Sequence, residues 1–91
     1  MLGFLAAAIA APSAASAEGR HRTRGVVKSF GKERRYVNIA HEEIPGYMAA
    51  MTMSFEPRRP EQLEGLAPGD RVALSFTDEG VRRLIDTIEK L

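Results

Sequence analysis

The chain has 91 residues, with 13 Lys or Arg against 12 Asp or Glu, and neither Cys nor Trp. That length carries one small domain. The near-neutral balance lacks the basic excess of a dedicated nucleic-acid binder, and the missing cysteines exclude disulfides, thiolate zinc sites, iron–sulfur clusters and thiol redox chemistry.

Residues 2–11 (LGFLAAAIAA) form an unbroken apolar run, well short of the roughly 20 residues a spanning helix needs. The run suits the apolar core of an export signal. Pro12, Ser13 and Ser16 follow as a breaker and polar region, and Ala15-Ser16-Ala17 supplies a small-x-small cleavage pattern. Residues 1–17 are therefore expected to be a signal peptide, with the mature chain beginning at Glu18. No Lys or Arg precedes the apolar run, which departs from the usual pattern. The alternative, a buried N-terminal helix, would bury little area through alanines on every face.

Residues 18–24 (EGRHRTR) are polar and read as a flexible tail ahead of a domain over 25–91. Residues 25–30 read as a first strand containing Val26 and Val27, and 31–34 have turn character. Residues 36–41 (YVNIAH) alternate, with Val37, Ile39 and His41 on one face and Asn38 and Ala40 on the other. Pro45-Gly46 marks 42–50 as a loop. Met51, Met53 and Phe55 share one face of the next strand, Thr52 and Ser54 the other, and Pro57 and Pro60 end it. Residues 61–66 fit a short helical turn, and 67–70 (APGD) a tight turn. Residues 71–76 form a strand with Val72, Leu74 and Phe76 inward, and 78–80 turn the chain back. Val81, Leu84, Ile85, Ile88 and Leu91 then follow helical spacing, although 84–88 is also β-compatible. Periodicity alone favours helix there. Four strands and one ambiguous element point to a small β-barrel or a compact α+β domain.

The chemistry concentrates in one stretch. Apart from Met1, the methionines are Met48, Met51 and Met53, and His41 stands just upstream. Met51 and Met53 on one strand face have Cα atoms roughly 6.5–7 Å apart. Two long thioether arms converge from that distance, and the Pro45-Gly46 turn can fold Met48 back over the same point. Thioether sulfur is soft, uncharged and does not titrate, so it selects Cu(I) or Ag(I) over Zn(II), Mg(II) and Ca(II), and a neutral imidazole adds a nitrogen donor. The competing reading makes Met51 and Met53 adaptable core fillers beside Phe55. The residues alone leave both open.

The segment AHEEIPGYMAAMTMSF, with LAPGDRVALSF downstream, resembles the CusF-type periplasmic Cu(I)/Ag(I)-binding family. It is similar also to the copper-binding domains fused to Sco/SenC chaperones. The resemblance runs from Gly25 to the C-terminus. It implies an all-β, five-stranded OB-type barrel whose fifth strand covers 84–89, against the helical periodicity. It implies Cu(I), with Ag(I) as the second candidate, held by His41, Met51 and Met53. One position departs: the family's efflux-type members carry a Trp three residues before the first Met of M-x-M, where this chain has Met48. Met48 is then a third thioether ligand or an apolar lid. Tyr47 could offer an aromatic face instead, although strand-like alternation would aim it away from Met48. The implied function is a periplasmic metallochaperone or buffer that passes copper to an efflux or copper-assembly partner. A monomer, without stable membrane insertion or nucleic-acid binding, is expected.

Other candidates carry less. His41-Glu42-Glu43 fails as a zinc-protease motif because Pro45 stands where a second histidine must be. Glu42 and Glu43 are expected in solvent, one of them able to orient the imidazole. His21 reads as tail. The basic N-terminal third suits either an acidic partner or, as the alternative function, an OB-type protein- or oligonucleotide-interaction domain without metal. No histidine is placed to activate a serine, so enzymatic activity is not expected.

Overall fold

The computed structural model describes residues 19–91. The signal segment expected over 1–17 lies outside the described residues. Five strands follow: β1 Arg20–Phe30, β2 Val37–His41, β3 Met51–Pro57, β4 Arg71–Glu79 and β5 Arg82–Lys90. They close into a barrel in the order β1-β2-β3-β5-β4, with β4 returning to β1. Every pairing is antiparallel except β3 with β5. Closure lets so short a chain hide its sheet edges, which a small open sheet cannot do. This is the five-stranded OB-type barrel that the family resemblance implied.

The inward faces follow the alternation in the sequence. Val37, Ile39 and His41 are buried along β2, and Val72, Leu74 and Phe76 along β4. Phe55 and Phe76 meet edge to face with centroids 4.9 Å apart at the centre of the core. A 3₁₀ turn at Pro60–Leu63 brings in Leu63, which is buried together with Leu66. Arg34 donates to the carbonyls of both, at 2.7 and 3.3 Å, and its guanidinium lies over the Phe30 ring. Those contacts help to offset the left-handed backbone of Glu33 and Arg34 (φ 57° at each) in the turn before β2.

One expectation is corrected, and one ambiguity is resolved. The stretch read as a flexible tail is strand: residues 20–24 pair with 73–77 of β4. Arg20, Arg22 and Arg24 face solvent while His21 and Thr23 are half-buried, an alternation that contains no apolar residue and so gave no strand signal. The last segment is strand, as the resemblance implied and against its helical periodicity. Its register shifts between Ser75 and Phe76 of β4, whose partners are Thr87 and Ile85, so Asp86 is an extra, bulged residue. The bulge brings Ile85 and Ile88 opposite Phe76 and Leu74 on one face although they stand three apart. A spacing of three imitates a helix.

Candidate metal centre

His41 ends β2 and Met51 begins β3, and the two are direct partners in the ladder. Cross-strand partners share a face, so both side chains point to one rim of the barrel. Met53 is opposite Ile39, one step further along that face. It is partly buried against the core, whereas Met51 is 47% exposed at the rim. Met51 is therefore not the core residue that alternation alone would make it.

His41 is 3% exposed, with its ring 6.2 Å from that of Phe55. Its Nδ1 lies 2.7 Å from the Glu42 backbone carbonyl oxygen. A carbonyl can only accept, so Nδ1 carries a proton, and the neutral form of the ring presents its lone pair at Nε2. Nε2 is buried without a protein partner, one of two such side-chain nitrogens among the described residues, the other being Arg83 Nε. Leaving a buried acceptor empty costs about 1–3 kcal/mol, and a bound metal ion would remove that cost. The orienting group is the Glu42 main chain: the Glu42 and Glu43 side chains are exposed, so the carboxylate role considered from the sequence is filled by a carbonyl. Among the described residues no three His, Cys, Asp or Glu side chains gather where they could hold a metal. The donors available at this rim are one imidazole and thioethers.

The loop 42–50 carries Met48. Pro45 and Gly46 occupy the centre of a turn closed by Tyr47 N–H to Ile44 O at 2.9 Å, with Gly46 at φ 78° as a type II turn requires. Ile44 and Met48 then bridge, exchanging bonds of 2.8 and 3.0 Å. Ile44 is buried, and Met48 packs half-buried against the same core. The structure thus brings His41, Met51 and Met53 onto one hairpin face and holds Met48 on the adjoining loop.

Sequence pattern alone did not show that Tyr47, considered as an aromatic face, pairs with His21. Tyr47 stacks on His21 with centroids 3.8 Å apart and planes 16° from parallel, and its hydroxyl donates to the Asp78 carboxylate. Burial, then that hydrogen bond and the Asp78 charge, push the Tyr47 phenol above its ordinary range, with Arg83 opposing. It stays a protonated donor at neutral pH. His21, read as tail, lies on β1 opposite Phe76. The signal that could have found it is the period-2 pattern of R-H-R-T-R.

The profile of the family described as copper binding periplasmic protein CusF matches residues 20–90. The chain belongs to the CusF family. Over 66 residues it is 33% identical to the cation efflux system protein CusF of Escherichia coli O157:H7, a match covering 71% of this chain and 60% of that protein. The barrel superposes on the Ag(I) complex of Escherichia coli CusF with a TM-score of 0.69 at 28% identity, covering 79% of this chain and 91% of that one. The C-terminal domain of SilB from Cupriavidus metallidurans is similar too, with a TM-score of 0.66 and 38% identity over 78% of this chain and 87% of that domain. The CusF-family assignment and the barrel agree with the resemblance carried by the His41 to Met53 segment.

Proposed function

We propose that this chain binds one Cu(I), or Ag(I), between His41, Met51, Met53 and Met48. In this reading it acts in the periplasm as a carrier or buffer that passes the ion to a copper-efflux or copper-delivery acceptor. The observation that carries the reading is the His41 Nε2 lone pair, buried and unpartnered, on the same ladder face as two methionine sulfurs. A monovalent coinage ion accepts neutral soft donors without demanding charge, whereas hard divalent ions need carboxylates. The membership in the CusF family, and the silver bound by a CusF of the same fold, support this choice of ion. Release by stepwise exchange of thioethers suits a carrier, because each neutral donor can be surrendered separately. Among the described residues no helix is long and apolar enough to cross a membrane.

The test is anaerobic competition for Cu(I) against a chromogenic chelator, with the intact chain and with Met51→Leu and Met53→Leu. Each substitution keeps volume and removes a donor, and each is expected to weaken binding by about tenfold or more, equivalent to about 1.4 kcal/mol. Unchanged affinity in the double variant would remove both methionines from the ligand set.

A further inference from the structure

The loop that bears Met48 is tied down by groups outside any expected ligand set. We infer that His21 and Asp78 hold Tyr47 as a latch, and that the latch presets Met48 for the ion. The inference rests on the metal reading above and adds positioning residues to it.

Tyr47 is covalently next to Met48, and both of their N–H groups bond to the Ile44 carbonyl. Fixing the Tyr47 ring therefore fixes where the Met48 backbone stands. The ring is held on two sides by rigid strand. On one side His21 stacks on it, and His21 is itself fixed by its ladder partner Phe76, a fully buried core residue 5.4 Å away ring to ring. On the other side the hydroxyl donates to Asp78, which β4 fixes through its pairing with Arg83 and through Asp78 N–H to Gly19 O at 2.8 Å. Without these contacts the loop keeps the Ile44–Met48 bridge and the packing of Ile44 and Met48 on the core, but no side-chain tie to β1 or β4 at Tyr47. The Tyr47 face covered by His21 is also occupied, so it is not free to cap an ion. A methionine on an unrestrained loop would meet the ion only in a fraction of its conformers, and apparent affinity falls in proportion to that fraction.

The test compares Tyr47→Leu, His21→Ala and His21→Phe, each also in a Met48→Leu background. Amide hydrogen exchange is read on the metal-free chain, and Cu(I) affinity and sulfur count on the loaded chain. Tyr47→Leu and His21→Ala should speed exchange at the Tyr47 and Met48 amides and spare the ladder amides of β2 and β3. They should weaken Cu(I) binding by about tenfold and remove one sulfur from the first shell. His21→Phe, which keeps a flat ring for stacking, should restore all three readouts. In the Met48→Leu background none of the three should weaken binding further. Unaltered exchange, or faster exchange with affinity and sulfur count unchanged, would overturn the latch. A further loss in the Met48→Leu background would overturn it as well, since the effect would then not pass through Met48. An intact chain that takes up no Cu(I) overturns the metal reading itself, an outcome distinct from an intact chain that binds normally while the latch variants change nothing.

Discussion

Gly25 is the residue on which the placement of His41 depends most directly. It pairs with His41 on β2 and with Val72 on β4, and it lies so close to β2 that there is no room for a side chain. A Cβ there would stand 2.5 Å from the Ala40 carbonyl oxygen and 2.6 Å from Ile39 Cγ2. Both neighbours are parts of the barrel wall rather than mobile ends. Gly25→Ala is therefore expected to destabilise the fold by about 1–3 kcal/mol, the range for overpacking a tight interior, and thermal unfolding measures it. An unchanged melting temperature would mean that β1 and β2 separate easily, and that the imidazole is less rigidly held than its buried setting indicates. The sequence marks Gly25 only as the start of a strand. Its close approach to β2 is a tertiary fact that local pattern does not encode.

Along the elements, legibility tracks apolar alternation. β2, β3 and the first part of β4 alternate apolar and polar residues and were found where they lie, and the Pro45-Gly46 turn followed from backbone chemistry. Residues 20–24 were missed because their inward positions are His21 and Thr23 rather than aliphatic side chains. β5 was misread from periodicity because the bulge at Asp86 changes the spacing, and only the family resemblance recovered it. The bulged Asp86 is also an electrostatic junction. Burial alone would push its carboxyl up, but the Thr77 hydroxyl, the Arg58 guanidinium and the Arg20 charge together hold it below the usual carboxylate range. Thr77 Oγ1 donates at 2.7 Å and Arg58 Nε at 2.8 Å, tying β4 and the segment after β3 to β5. A carboxyl depressed on folding contributes stability above its unfolded value, and the contribution is lost as pH falls through the folded value. Asp86→Asn is thus expected to melt a few degrees lower than the parent at neutral pH. The two melting curves should converge as pH falls below about 4, near the unfolded carboxyl value. A gap that persists in acid would assign the loss to packing rather than charge.

For the molecule as a whole, the barrel is a frame that sets a soft-donor face at one rim. Closure fixes β2 against β3, and that register makes His41 and Met51 partners. The loop above them, fastened through Tyr47 to β1 and β4, carries the third methionine. The candidate donors were legible because M-x-M on a strand and a histidine at a neighbouring strand end have few other joint uses. The tautomer of His41 and the fastening of the loop were not legible, since both depend on contacts between segments distant in sequence. X-ray absorption of the Cu(I)-loaded chain tests this picture most directly. The account expects one imidazole nitrogen and three sulfur neighbours; two sulfurs would keep the centre and return Met48 to the role of a lid. A first shell of light atoms with no sulfur would contradict the account.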